Sequence, residues 1–308
     1  MRLIFEYLFF PGFLFTATVG LLASWVDRKI TARLQWRKGP PWYQNFVDII
    51  KLLGKETIVP RSGAKLTFLA SPILGLASIT LVSSIIGIVN IWPDRSFIGD
   101  LIVILYLLTL PSISLILAGF ASANPLASLG ASREIKLILA YELPFILAVF
   151  TPVIKTGGLI KLGQILRFQE SFGIMLTSPS CIIAFVITIL CMQAKLGIVP
   201  FDIPEAEQEI MAGPYIEYSG SALAIFKLTK AMMLFVLPFF LVEIFMGGIK
   251  LAGISFVLGI LKYAALLVVI ILIKNTSTRL RIDQAIKFFW GPVTLLAIIA
   301  VVLAVLGQ

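Results

Sequence analysis

Residues 221–246 read SALAIFKLTKAMMLFVLPFFLVEIFM, a 26-residue run with only three charges, Lys227, Lys230 and Glu243. About 20 apolar residues in helical form cross the roughly 30 Å hydrocarbon core of a bilayer. This run is therefore a spanning helix. The same reading finds seven more segments, at about 3–26, 67–92, 98–121, 136–154, 179–199, 252–274 and 288–306. Composition agrees: of 308 residues, 59% are hydrophobic and 13% charged, against about 25% charged in globular chains. Mean hydropathy is +1.02. These values exclude a soluble domain, a disordered chain and a disulfide scaffold. The expected fold is an all-α polytopic membrane protein, one transmembrane domain over residues 1–308 with about eight helices. The polar stretch 155–178 reads as a loop with room for a short helix.

Basic residues set the orientation. The loops 27–66, 122–136, 195–220 and 274–287 carry 16 Lys and Arg, and the opposite side carries 6. The first set is expected to be cytoplasmic, with both termini outside. The net charge of +9 is mostly this topology signal and not a nucleic-acid surface. The first segment has only Arg2 before it and Arg28-Lys29 after it, the flank order of a span and not of a signal peptide. No internal repeat is visible, so paired broken helices of the transporter kind are not expected.

The chain has no histidine, and its two cysteines, Cys181 and Cys191, lie in one apolar run. Haem, zinc and iron–sulfur centres need more ligands than that. The cysteines read as small buried hydrophobes. Any redox centre belongs to another subunit.

Polar residues concentrate in the loops. The first is basic, with Asp27, Arg28, Lys29, Arg33, Arg37, Lys38, Asp48, Lys51, Lys55 and Glu56. The third is acidic, with Asp202, Glu205, Glu207, Glu209 and Glu217 against Lys195. Opposite charges on one face pair with each other, pair with a docked partner, or stand solvated. Residues 43–56 form an amphipathic pattern: Phe46, Ile49, Ile50 and Leu53 on one side, Asp48, Lys51 and Lys55 on the other. Such a helix lies in the membrane interface, as an anchor or as the lining of a site. On a helix after Pro204, Glu205 and Glu209 share a face at i, i+4, with Glu207 turned away.

Charges inside spans are costly and mark function by default. These are Glu142, Lys227, Lys230, Glu243 and Lys262. Glu142 precedes Pro144, whose missing N–H frees a carbonyl near residue 140. Glu142 and Lys227 are expected to pair, either as members of a proton path or as a static bridge fixing register. Glu243 and Lys262 lie near the outer end and can snorkel.

Several blocks resemble one family. Pro200-Phe201-Asp202-Ile203-Pro204-Glu205-Ala206-Glu207, continuing to Glu209, Gly213 and Glu217-Tyr218-Ser219-Gly220, is similar to the hallmark loop of the complex I membrane subunit that joins the quinone site to the pumping arm. In order around it, Asp27-Arg28-Lys29 with Arg33, Gln35 and Arg37, then Asp48, Lys51, Lys55 and Glu56, and later Arg279, Arg281, Asp283, Gln284 and Trp290 resemble further blocks of that family. The resemblance covers roughly residues 25–292. Gly130-Ala131-Ser132-Arg133-Glu134 looks like the branch found in membrane-bound nickel–iron hydrogenases. Lys230 stands near a glutamate usual in complex I, so the full glutamate series is not carried over.

The resemblance implies a multi-subunit, redox-driven ion pump in the cell membrane of a bacterium or archaeon. Its partners are hydrogenase-like large and small subunits, an iron–sulfur subunit and antiporter-like membrane subunits. Iron–sulfur clusters and a nickel–iron centre, fed by ferredoxin, sit in those partners, with none in this chain. It implies coupling roles for Glu142, Asp202, Glu205, Glu207, Glu209, Glu217, Lys227 and Lys230. It implies a partner interface at Arg28, Lys29, Arg33, Arg37, Asp48, Lys51, Lys55, Arg133, Glu134, Arg279, Arg281 and Asp283. A quinone-linked complex and a sulfur-reducing complex are the alternatives within the family. An independent transporter or inert anchor is the alternative outside it.

Overall fold

The computed structural model describes residues 2–250 and 253–307. The ends of the 1–308 domain at residues 1 and 308, and the first residue of the expected 252–274 span, lie outside them. The helices are α1 (Arg2–Leu8), α2 (Phe13–Leu34), α3 (Gln44–Leu53), α4 (Lys65–Ile91), α5 (Asp100–Leu107), α6 (Leu110–Ala121) and α7 (Pro125–Lys155). They continue as α8 (Leu162–Phe172), α9 (Pro179–Lys195), α10 (Glu207–Ile210), α11 (Gly220–Met246), α12 (Gly253–Thr276), α13 (Ile282–Phe288) and α14 (Thr294–Val305). No strand occurs among the described residues.

Among the described residues seven segments are long and apolar enough to cross a membrane, α1 with α2, α5 with α6 and α13 with α14 each counting as one. The 17-residue α9 is the eighth apolar helix. At 1.5 Å per residue it is about 26 Å long, slightly short of the hydrocarbon thickness.

Tertiary contacts assign the loops to two faces. On one, Lys274 in the last turn of α12 meets Asp27 in α2, and Asn124 before α7 meets Glu217 before α11. We call this the loop face. On the other, Arg95 after α4 meets Glu6 in α1, and Lys155 at the end of α7 donates to the Gly307 carbonyl. This terminal face holds α1 and Gly307, as an even number of crossings between them requires.

α11 is the central helix. Every residue from Ala231 to Phe245 is buried. α2, α3, α4, α8, α9 and α12 pack around it. Lipid is as apolar as leucine, so close backbone approach through small residues holds such helices together. At Gly20 a Cβ would sit 2.6 Å from the Ala231 carbonyl oxygen, and at Gly119 one would sit 2.8 Å from that of Ala127. α12 and α14 keep apolar outer surfaces, such as Val257, Leu261, Leu295 and Ile299, for lipid or partner chains.

Two boundaries differ from the sequence reading. The fourth span starts at Pro125 and not at 136, so the expected 122–136 loop shrinks to residues 122–124. Asn124 caps it, its Oδ1 accepting from Leu126 N, with Pro125 at the first helical position. The polar run that read as loop, Ser128 to Lys136, is helix: Arg133 meets Glu209 of the acidic loop, Glu134 is buried, and Ser128 and Ser132 donate back to the carbonyls of Pro125 and Ser128. The first segment is two helices, and α2 continues to Leu34, placing Asp27, Arg28, Lys29 and Arg33 on a helix. The expected amphipathic helix is α3, and the 155–178 stretch contains α8.

Candidate functional site: a charged cavity and a buried chain of ion pairs

A cavity of about 500 Å³ opens among α2, α3, α11, the acidic loop and the end of α12. Five acids line it, Asp27, Asp48, Asp202, Glu205 and Glu207, together with five bases, Arg28, Lys227, Lys230, Lys274 and Arg279. Eight of these ten make four ion pairs. Lys274 meets Asp27 at 2.7 Å, Arg28 meets Asp48 at 3.3 Å, Arg279 meets Asp202 at 2.9 Å and Lys230 meets Glu205 at 2.6 Å. Glu207 and Lys227 remain, one of each sign, with no ion-pair partner among the described residues. The cavity floor reaches Leu234, two turns or about 10 Å along α11 from Lys227.

α3 forms one wall because Asn45 anchors it. Its Nδ2 donates to the Leu21 carbonyl at 3.1 Å, and its Oδ1 accepts from Arg28. Asn45 is buried, while Ile50 and Leu53 stay exposed for the membrane interface.

The acidic loop is clamped on α7. Met211, Ala212 and Gly213 all adopt left-handed φ, which turns the chain back on itself. This brings Gly213 and Pro214 against Gly130, where an added Cβ would lie 2.6 Å from Pro214 Cδ and 2.9 Å from the Pro204 oxygen. Arg133 closes the clamp on Glu209 at 2.7 Å. Tyr218 stacks on Phe68 at 4.0 Å and donates to the Phe68 carbonyl. Burial pushes the Tyr218 hydroxyl up to about 12. It raises Tyr215 well above its ordinary value, with Glu205 and Glu134 adding to the effect. Both remain protonated at neutral pH.

Behind the Glu205–Lys230 pair lies a second space of about 40 Å³, large enough for water, bordered by Ser112, Glu134, Lys195, Glu205, Tyr215 and Lys230. Glu134 is buried and accepts a hydrogen bond from Ser112. Ser112 Oγ lies 3.4 Å from the Tyr141 hydroxyl. Lys195, whose side chain is 0% exposed, reaches Glu142 at 3.0 Å. Its Nζ lies 5.2 Å from the Tyr141 ring centre and 4.8 Å from that of Phe145. Charged and hydroxylic groups thus run from the cavity wall to Glu142 in the membrane interior.

Several expectations are corrected. Glu142 pairs with Lys195 and not with Lys227, which instead faces the cavity. Glu205 and Glu209 do not share a helix face: α10 is only Glu207–Ile210, and the two carboxylates turn to different partners, Lys230 and Arg133. The acidic loop takes its cations from α7, α11 and Arg279, not from the basic loop. Glu134, expected at a partner surface, is buried beside the Ser112 hydroxyl. Glu243 does not snorkel; it is 0% exposed. Lys262 turns inward to the Met246 carbonyl at 2.6 Å.

Arg33, Arg37, Lys51, Lys55, Arg281 and Asp283 are exposed on the loop face, and Lys29 is half-buried against Gly39. Glu217 accepts from Asn124 at 2.6 Å and ties the loop to the start of α7. Lys195 is the residue sequence reasoning missed. It falls inside the apolar run 179–199, so the rule that singled out Lys227 and Lys230 applied to it equally.

The profile of the NADH dehydrogenase family matches residues 8–305. The chain is 31% identical over 296 residues to a subunit of the NADH-quinone oxidoreductase of Geobacillus sp. (strain WCH70), covering 91% of this chain and 87% of that one. It is 30% identical over 285 residues to the same subunit from Bacillus cytotoxicus, covering 89% and 84%. Among solved structures, a chain of the membrane-bound sulfane sulfur reductase, an archaeal respiratory membrane complex, superposes with a TM-score of 0.89. Sequence identity there is 30%, over 99% of this chain and 100% of that one.

Proposed function

The chain belongs to the NADH dehydrogenase family of complex I membrane subunits, and from that premise we propose that it couples electron transfer in a docked hydrogenase-type arm to proton or sodium movement. It is a multi-span protein of the cell membrane and a subunit of a complex I-like respiratory assembly. One observation carries the coupling reading: a space of about 40 Å³ bordered by Glu134 joins the Glu205–Lys230 pair of the loop-face cavity to Lys195, which pairs with Glu142. A charge change at the cavity reaches Glu142 by exchange of ion-pair partners in low dielectric, where such interactions are strong.

The arm docks on the exposed bases of the loop face, Arg33, Arg37, Lys51 and Lys55. It carries the iron–sulfur clusters and the nickel–iron centre, supplied by ferredoxin, and antiporter-like subunits take up the ion movement. The hydrogenase branch is favoured by Gly130–Glu134, by Lys230 in place of a glutamate, and by the ten charges of the cavity. A quinone site is mostly apolar. The near-complete superposition on the sulfane sulfur reductase chain favours a second reading, a sulfur-reducing arm on the same subunit.

Purification of the intact complex in mild detergent, with metal analysis and extraction of bound lipids, separates these. Nickel with iron in an attached large subunit is the expected result. Iron without nickel selects the sulfur-reducing arm, and bound quinone the quinone-linked one. Wild-type redox-driven ion movement in a Glu142→Gln complex would overturn the coupling reading itself.

A further inference from the structure

Glu243 lies one turn before the end of α11, at its terminal-face end, 13 residues or about 20 Å from Lys230. It takes no part in the chain just described. Its side chain is fully buried, and neither carboxylate oxygen has a hydrogen-bond partner among the described residues.

Two neighbours share this condition. Asp100 opens α5 and is also fully buried. Its Oδ1 accepts from Leu101 N at 2.7 Å and Leu162 N at 2.9 Å, but its Oδ2 accepts from nothing among the described residues. Gln169 on α8 donates its Nε2 to the Glu243 and Ile244 carbonyls at 2.9 and 3.0 Å, leaving its Oε1 unpartnered. Asp100 lies close enough to Glu243 for their charges to interact.

These four orphan atoms are acceptors; a fifth, the Ser96 hydroxyl, lies by Asp100 and serves that carboxylate, and no base among the described residues answers Glu243. Lys161 acts on Asp100 alone. The other cations at this end are engaged: Lys262 with the Met246 carbonyl, Lys250 with Glu170, Arg167 with Asp94, Arg95 with Glu6 and Lys155 with the Gly307 carbonyl. A buried carboxylate with neither cation nor donor takes up a proton.

We propose that Glu243, with Asp100 and Gln169, forms a terminal-face proton site, Glu243 holding a transported proton as its carboxylic acid. The acid O–H satisfies one of the orphan acceptors. On transfer one O–H bond breaks at Glu243 and one forms on water or on the Asp100 carboxylate, and the Glu243 carboxylate takes up a new proton before the next cycle. The transport role rests on the coupling reading above; the protonated state of Glu243 does not.

The test uses the intact complex in sealed vesicles, wild type against Glu243→Gln. The infrared C=O stretch of a buried carboxylic acid is expected in wild type and absent in the variant. Ions moved per electron are expected to fall at least twofold. An unchanged band overturns the site, and a lost band with unchanged ions per electron overturns its transport role. If Glu243→Gln fails to assemble, Asp100→Asn serves in its place: it must shift the band, and an unshifted band overturns the shared site. Normal pumping in Glu142→Gln would fault the coupling reading, whereas a normal band and normal pumping in Glu243→Gln alone would fault only this inference.

Discussion

Replacing Lys195 with methionine removes the fully buried cation of the pair and leaves Glu142 without its partner. Breaking a buried ion pair from one side costs about 3–5 kcal/mol, because the remaining charge is stranded. Glu142 keeps 19% exposure, so the low end applies, about 3 kcal/mol. Loss of the contacts with Tyr141 and Phe145 adds about 0.5–1 kcal/mol at most. For a chain of this size 1 kcal/mol moves the melting temperature by about 2 °C, so Lys195→Met should lower it by about 7–8 °C. The second substitution, Glu142→Gln, tests the cause. With both charges gone nothing is stranded, and replacing a whole buried pair is often neutral. The double variant should therefore melt within about 2 °C of wild type. Melting of the detergent-solubilised complex, followed by intrinsic fluorescence across the four proteins, measures the cycle. A double variant that loses the sum of the two single losses would show that the two residues do not interact, and the partner assignment for Glu142 would fall.

Gly130→Ala should spread the clamp between α7 and the acidic loop. The new methyl would overlap Pro214 and the Pro204 carbonyl, at about 1–3 kcal/mol, and limited proteolysis should cut faster between residues 196 and 219. Arg279→Gln should change stability by less than about 1 kcal/mol, since its pair with Asp202 is half exposed; chemical denaturation checks this. Tyr218→Phe loses the hydrogen bond to the Phe68 carbonyl but keeps the ring stack, costing about 1 kcal/mol. A larger loss by the same assay would mean that the hydroxyl does more than hold the loop. Glu205→Gln with Glu209→Gln should lower redox turnover of the whole complex, and unchanged turnover would leave the acidic loop a solvated surface.

The helices were legible because a bilayer makes a simple demand: long apolar runs with self-satisfied backbones. Eight runs, their order and the amphipathic α3 followed directly. The start of α7 was not legible, since Ser128, Ser132, Arg133, Glu134 and Lys136 are as polar as a loop. Their helix rests on tertiary contacts, Arg133 with Glu209 and Gly130 with Pro214, and on burial of Glu134. Charge identities were legible, but pairings were not. Glu142 had Lys195, Lys227 and Lys230 available on neighbouring helices, and the choice depends on helix rotation, which mean hydropathy does not encode. Glu243 was misjudged for the same reason: α8 covers the end of α11, and no local pattern announces that cover.

The cavity holds five negative and five positive side chains, four couples and one odd member of each sign. Its formal sum is zero, so at a distance its field largely cancels. A balanced enclosure of this kind behaves as a null detector. Any single charge brought to its mouth stands without its opposite, by one whole elementary charge. Among the described residues Lys227 is the one base of the cavity outside the four couples, so under the proposed coupling it is the group left to answer an added negative charge.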